Sequence, residues 1–265
     1  MTVRNVIAIG ASLLAFAGCA PTDADDEFDD EKTATAVAAL DIGTDATEID
    51  GLESLDPQRA ATDLASSKTK GCRTRTVDAA NPNVVHVVLA SCGGRFDRHV
   101  VNGTVTVTFS SNPDGSLHAD KVGDLTIDGR AFTRTVSADI KVTGNVRIVS
   151  RHAEKTGTKK NGEAVTHQSD EVVVTDKATR CRTVNGTGHS VVAGVRKIET
   201  TITNLQTCET EDGEDYCPTG TIEHVNESKG KTSVKTFAGV ADVTIDISKP
   251  KGDKTKTWTL SCTPR

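Results

Sequence analysis

Cysteine is the residue type whose number and spacing bear most directly on the chemistry of this chain. The 265 residues include seven cysteines, namely Cys19, Cys72, Cys92, Cys181, Cys208, Cys217 and Cys262. No two of them form a Cys-x-x-Cys pair, and no histidine lies at ligand spacing from another, so a zinc site is not indicated. All except Cys19 form an even set, which predicts disulfides if the chain is exported.

The residues before Cys19 have the features of an export signal. Arg4 is the only positive residue before an uncharged apolar run from Val6 to Ala17. A transmembrane helix needs about 20 residues, so this run is too short to span a bilayer but suits a signal peptide. The ending Ala17-Gly18-Cys19 resembles the lipobox of bacterial lipoproteins, in which the cysteine thiol is diacylated and becomes the mature N-terminus.

The resemblance covers only the leader, and Phe16 departs from it because leucine is commonest at that position. It implies that residues 1–18 are a signal peptide, that Cys19 is lipidated and that the protein is anchored in the bacterial cell envelope. By analogy with enterobacterial lipoproteins, Ala20 in place of aspartate would permit sorting to the outer membrane. The alternative is ordinary signal cleavage with Cys19 as a bystander.

The other six cysteines allow many pairings, and spacing alone does not choose among them. We expect the sequential pairing Cys72–Cys92, Cys181–Cys208 and Cys217–Cys262. The first pair has the best support because it would close an apparent hairpin.

Composition favours strands and excludes some functions. Aromatic residues make up 3% of the chain, so its core must consist largely of β-branched aliphatic residues, which favour strands. The net charge of −6 and the lack of a basic cluster argue against nucleic-acid binding. Trp258 and Tyr216 alone make a poor sugar-stacking platform.

The chain divides into a leader, a tether and a domain. Residues 19–71 include an acidic run from Asp23 to Glu31, which predicts a disordered, solvated tether. Within it, Asp56 can cap and Pro57 can begin a short helix near residues 57–65. We place the disulfide-stapled β domain at residues 72–265.

The clearest structural pattern is a period of two between Phe132 and Ile148. It predicts one long strand, or two strands broken near Gly144-Asn145, with one buried face and one wet face. This favours an all-β, antiparallel fold, either a β-sandwich or one long curved sheet. Residues 152–169 lack apolar alternation, so we expect a mobile hairpin tip there.

Two short segments echo each other, Val101-Asn102-Gly103-Thr104 and Val184-Asn185-Gly186-Thr187. We attribute the echo to chance or to shared turn chemistry rather than to duplication. The sequons at Asn102, Asn185 and Asn226 are interpreted as incidental in a chain with a bacterial leader.

No catalytic, cofactor or metal motif stands out. Gly188-His189-Ser190 lacks the last glycine of a nucleophile elbow and leads into a strand. The acidic loop at Asp212 to Asp215 lacks the alternation of a calcium loop, and we interpret it as a solvated rim. No glycine-rich phosphate loop follows a strand, so no nucleotide cofactor is expected. An enzyme would need several dispersed histidines to converge, namely His86, His99, His189 and His224.

These patterns predict a lipid-anchored envelope protein with a non-catalytic binding, adhesion or structural role. The partner, a protein or a hydrophobic ligand, is left open. The main alternative is a carrier of lipid or another hydrophobic ligand, in which the Phe132 to Ile148 face would line an apolar cavity.

Overall fold

The computed structural model describes residues 52, 54–67, 71–93, 100–158, 162–194, 196–210, 215–260 and 262–264. The leader, Cys19 and the acidic run lie outside these residues, so what the sequence indicates about them stays a prediction. Within the described ranges, no helix is both long enough and apolar enough to cross a membrane.

Thirteen antiparallel strands follow one another as a meander in a single sheet, and each pairs with its neighbours in sequence. This confirms the all-β, antiparallel prediction and, of its two forms, favours one long sheet. The strands are β1 Arg73–Val77, β2 Val84–Gly93, β3 Val100–Ser111, β4 Leu117–Ile127, β5 Arg130–Thr143, β6 Val146–Thr158, β7 Ala164–Asp176, β8 Cys181–Val192, β9 Arg196–Cys208, β10 Thr219–Asn226, β11 Lys231–Ala238, β12 Asp242–Ser248 and β13 Lys254–Thr259.

One face of the sheet, the inner face, carries the hydrophobic core. Val85 of β2, Ile140 of β5 and Val243 of β12 are fully buried and belong to one cluster. One α-helix lies within the described part of the chain, and it packs against β1, β2 and β3. The opposite face, called the outer face, is exposed to solvent.

The helix α1, Pro57–Ser66, belongs to the folded domain rather than to the tether in which the sequence placed it. Asp56 caps it, since the backbone N–H of Arg59 donates to Asp56 Oδ1 over 2.8 Å, and Pro57 stands in its first turn. Ala60, Ala61 and Leu64 are at most 1% exposed and lie in the hydrophobic core. Burial of this apolar stripe stabilises a helix that would be marginal in isolation.

Residues 152–158 and 164–169 form strand, although we expected the whole of 152–169 to be a mobile hairpin tip, and residues 159–161 lie outside the described ranges. They include the end of β6 and the start of β7, which pair continuously from Val146 to Thr158. The expectation was wrong because the inward positions of these strands carry buried polar residues, among them Lys155, His167 and Ser169. A buried face made of polar side chains leaves no apolar alternation to detect.

The pattern between Phe132 and Ile148 belongs to two strands that meet at Gly144-Asn145. Buried residues occupy even positions in β5 and odd positions in β6. Arg134 and Arg147 are therefore buried, whereas Ile148 is 37% exposed. The tight turn reverses the phase of the alternation, which a single long strand would have kept.

The three disulfides join Cys72 to Cys92, Cys181 to Cys208 and Cys217 to Cys262. This is the sequential pairing that we expected. The second bond links directly paired residues of β8 and β9. The third ties Cys262, just beyond the last strand, to the segment before β10.

The Asn-Gly echo marks two β-bulges of similar construction. Ser91 in β2 and Asn204 in β9 have left-handed φ angles of 51° and 47°, and the strand register shifts beside or opposite each. The N–H of Ser91 donates to Asn102 Oδ1 over 2.6 Å, and that of Asn204 donates to Asn185 Oδ1 over 2.7 Å. Each asparagine thus satisfies a backbone donor that the bulge frees.

Candidate functional site

A groove of about 590 Å³ crosses the outer face at the middle of the sheet, from β5 to β9. Its outward side chains are polar apart from Val172, and they alternate along the strands with residues whose side chains point to the inner face. Such a groove offers hydrogen-bonding groups and carboxylates from the side chains of neighbouring strands. Its lining comprises Ser137, Asp139, Ser150, Arg151, His152, Asp170, Glu171, Val172, Asn185, Gly186, Thr187, Thr201 and Ile202.

Gly186 lies at the bulge between β8 and β9, where the paired register shifts after Val184. A Cβ atom at this position would lie 2.6 Å from the carbonyl oxygen of Asp170 and 2.7 Å from Cγ of Glu171. The close approach of β7 and β8 therefore requires glycine at this position, and Gly186 contributes only backbone atoms to the groove.

His118 lies beside one wall of the groove, between two carboxylates. Its Nδ1 is 2.8 Å from Oδ1 of Asp139, its direct cross-strand partner, and its Nε2 is 3.2 Å from Oδ2 of Asp120. The hydrogen bond to Asp139 raises the pKa of His118. The same bond, with one from Asn112 over 2.7 Å, lowers the pKa of Asp139. Both groups are therefore held in their charged forms over a widened pH range.

His152 repeats this arrangement inside the groove. Its Nδ1 is 2.8 Å from Oδ1 of Asp170, again its cross-strand partner, and its Nε2 is 3.5 Å from Oε1 of Glu154. The bond to Asp170 raises the pKa of His152. The side chains of Asp170 and Glu154 are 73% and 53% exposed. The groove thus presents solvent-accessible carboxylates, and the imidazoles balance part of their charge as pH falls.

A second polar feature lies on the inner face, where nine buried side chains form what we call the polar layer. The layer crosses β4 to β10 and lies between apolar rows of the same face, such as Phe132 and Val165 on one side and Ile140 and Val149 on the other. It consists of Lys121, Arg134, Arg151, Lys155, His167, Ser169, Glu171, Ser190 and His224.

Hydrogen bonds and one ion pair organise this layer. Arg151 donates from Nε to Oε2 of Glu171 over 2.9 Å, with a second contact from Nη2. Nδ1 of His167 is 2.7 Å from Oγ of Ser190. An added Cβ on Gly188 would lie 3.1 Å from the ring of His167, so glycine makes room for the imidazole. Buried polar groups paired in this way specify one packing arrangement.

The inner face of β5 also bears on the carrier alternative. That alternative needs a continuous apolar lining, but Arg134 interrupts the face. Its direct neighbour across the β5–β6 pair is Lys155, which is 1% exposed. Buried cations are an unfavourable lining for an acyl chain.

The histidines that an enzyme would need to converge do not share one face. His86 and His189 lie on the outer face of β2 and β8, where they pair with Asp78 and Glu199 respectively. His224 lies on the inner face of β10, and His99 is outside the described residues. Three of these histidines therefore sit on separate strands with separate partners.

The described residues contain no group of three or more His, Cys, Asp or Glu side chains arranged to hold a metal ion. Asp212, Gly213 and Glu214 of the acidic loop lie outside those residues, so the interpretation of this loop as a solvated rim stays a prediction. Asp215 is described, and its charge together with burial raises the pKa of Glu209, burial being the larger cause.

Sequence reasoning missed both polar features. The groove residues come from five strands, and nothing in their spacing along the chain indicates that they meet. A signal did exist for the polar layer, because Arg151 and Lys155 lie four residues apart, which places them on the same face of a strand. Lys155 lies in the segment 152–169 that we interpreted as a polar hairpin tip.

No family model, characterised protein or solved structure matches this chain. The fold and the site therefore define the class on their own. It is a disulfide-stapled, single-sheet β protein with a polar groove on its outer face and a polar layer beneath it.

Proposed function

We propose that this protein is a lipid-anchored binding protein of the bacterial cell envelope, without catalytic activity, which presents its outer groove to a partner. The groove across β5 to β9 is the observation that carries the proposal. Three disulfides are compatible with an extracytoplasmic location. The lipobox-like leader supports a membrane anchor at Cys19, and sorting to the outer membrane is part of the proposal.

The partner that suits the groove is a polar one that presents basic groups. Asp139 and Asp170 supply carboxylates, while Ser137, Ser150 and Thr187 supply hydroxyls. The cationic side chain in the lining, Arg151, is 6% exposed and paired with Glu171 on the inner face. Carboxylates at a groove attract cationic segments and fix their register, and salt weakens this attraction.

Binding of a lysine-rich peptide to the purified protein tests this directly. We expect it to bind more tightly than a glutamate-rich peptide of equal length, and to weaken as salt is raised. The double variant Asp139→Asn/Asp170→Asn should weaken binding about tenfold, the loss of one or two charge-assisted contacts.

A matched control removes two other outer-face carboxylates, Asp242→Asn and Asp246→Asn. These lie on β12, away from the groove, and each accepts a cross-strand hydrogen bond from a threonine hydroxyl. Equal weakening by both double variants would show that only net charge matters, and equal binding of both peptides would refute the partner class.

The anchor needs a separate experiment on cells. Cys19→Ser should abolish incorporation of labelled fatty acid and release the protein from the membrane fraction. Protease treatment of intact cells then gives the orientation, because surface exposure favours adhesion or partner binding and protection favours a periplasmic role. Unchanged acylation of Cys19→Ser would contradict the anchor, independently of the groove.

A further inference from the structure

The two histidine–carboxylate pairs at the groove are built in the same way. His118 on β4 faces Asp139 on β5, and His152 on β6 faces Asp170 on β7, in each case as direct cross-strand partners. Each Nδ1 lies 2.8 Å from a carboxylate oxygen. Asp139, His152 and Asp170 all line the groove. The carboxylates that are proposed to hold a basic partner are therefore the ones that the imidazoles engage.

A second carboxylate stands on the other side of each imidazole. Nε2 of His118 is 3.2 Å from Oδ2 of Asp120, and Nε2 of His152 is 3.5 Å from Oε1 of Glu154. Nearby carboxylates stabilise the protonated imidazole, and in each case the bond to the cross-strand carboxylate raises the pKa of the histidine above its ordinary 6.5. The two histidine side chains are 24% and 47% exposed, so both exchange protons with solvent.

The other charged groups around His118 cancel each other. Lys141, which is diagonal to it across the β4–β5 pair, forms an ion pair with Asp114 over 2.7 Å. On the β3 side the direct partner of His118 is Ser110, which carries no charge. A proton on His118 is therefore balanced chiefly by the two carboxylates that flank the ring.

The groups around His152 are carboxylates or uncharged. On β5 its direct partner is Ser137, and Asp139 is diagonal to it. On β7 the diagonal residue is Gln168, whose amide donates to Glu154 over 3.0 Å. Protonation of His152 thus adds a positive charge among carboxylates inside the groove, where a basic partner would also place one.

We propose that the groove binds its basic partner in competition with protons, holding it when His118 and His152 are neutral and releasing it when they are charged. The inference rests on the proposed function, because it concerns regulation of the same site. A neutral imidazole leaves the charge of Asp139 or Asp170 available to a cationic side chain of the partner. A protonated imidazole already supplies each carboxylate with a cation at hydrogen-bonding distance, and it repels a second one.

The direction of the effect follows from linkage between binding and protonation. The partner brings positive charge to the groove, so its binding favours the neutral form of each histidine and releases protons. The affinity should therefore rise with pH through the raised pKa of the two histidines and stay constant above it. Acidification should release the partner while the sheet remains folded.

Binding of the lysine-rich peptide to the full-length protein between about pH 8 and about pH 5.5 tests this proposal. Histidine ordinarily titrates in that range, whereas lysine and carboxylates ordinarily do not. We expect the dissociation constant to rise about tenfold on acidification, close to the loss that Asp139→Asn/Asp170→Asn produces at high pH. Circular dichroism at both ends of the range checks that the sheet is intact.

Variants then assign the effect to the two histidines. His118→Gln/His152→Gln should bind as the wild type does at high pH, because glutamine is neutral, and should lose most of the pH dependence. His189, which is paired with Glu199 beside the groove, accounts for a smaller remainder.

His86→Gln is the matched control. His86 forms the same kind of pair, with Nε2 2.8 Å from Oδ2 of Asp78, but it lies on β2 and outside the groove. This variant should keep the pH dependence of the wild type.

Three results would overturn the proposal. They are a constant affinity across the range, a full pH dependence in the double histidine variant, and an equal loss of pH dependence in His86→Gln. Binding without pH dependence would refute this inference alone. Absence of binding at every pH would refute the proposed partner class, and this inference with it.

Discussion

Neutralising Glu171 while Arg151 remains is expected to destabilise the fold strongly. The two side chains are 5% and 6% exposed, and Nε of Arg151 donates to Oε2 of Glu171 over 2.9 Å. In Glu171→Gln the amide oxygen can accept the same hydrogen bond, but the guanidinium charge stays buried without its counterion. Breaking buried pairs in this way costs about 3–5 kcal/mol of unfolding free energy. Urea denaturation followed by circular dichroism measures that change.

Two further variants separate charge from packing. The double variant Arg151→Met/Glu171→Leu removes both charges, so we expect an unfolding free energy within about 1 kcal/mol of the wild type or above it. Lys141→Met breaks an exposed pair with Asp114, and its effect should be much smaller than that of Glu171→Gln, because solvent screens this pair. The reasoning is refuted if Glu171→Gln loses less than about 1 kcal/mol, or if the double variant is as unstable as the single one.

Other changes test the helix, the pH dependence and the bulge. Leu64→Ala should lower the unfolding free energy of the whole domain by about 2–5 kcal/mol, because this side chain is 1% exposed in the core. Arg59→Ala on the exposed side of α1 serves as its control. Equal unfolding free energies of both variants would mean that α1 is part of the tether and does not stabilise the domain. The bond between His118 and Asp139 should contribute fully between their ordinary pKa values of 3.8 and 6.5. That contribution is lost as pH rises through the raised pKa of His118 and as pH falls through the lowered pKa of Asp139. His118→Gln should lower the unfolding free energy by up to about 1 kcal/mol in that window, and it should have no effect once pH exceeds the raised pKa of His118. An unchanged pH–stability profile would contradict the pairing. Gly103→Ala should cost more than about 2 kcal/mol, because φ is 135° and its Cβ would lie 2.2 Å from a backbone carbonyl oxygen of β4. Retention of wild-type Tm in that variant would show that the bulge relaxes.

Strand content was predictable because most strands alternate in the ordinary way. Val105, Val107 and Phe109 fall at every second position, and β3 follows from that alone. The sequential disulfide pairing that we expected, although spacing did not determine it, is the observed one because a meander brings sequence neighbours together.

The region from β6 to β7 could not be predicted from its pattern. Its inner positions carry Lys155, His167 and Ser169, residues that ordinarily mark a solvated segment. Their burial becomes possible only when neighbouring strands supply partners, such as Ser190 for His167. A rule that equates polar with exposed fails wherever the buried surface is itself polar.

The sequence by itself determined the fold class and the short helix, because each depends on local spacing or on neighbours in the chain. Only the tertiary structure decided which residues meet. The groove takes Asp139, His152 and Asp170 from three different strands, and the polar layer takes its side chains from six. Strand order and register decide which side chains meet, and both are properties of the whole sheet rather than of any one segment.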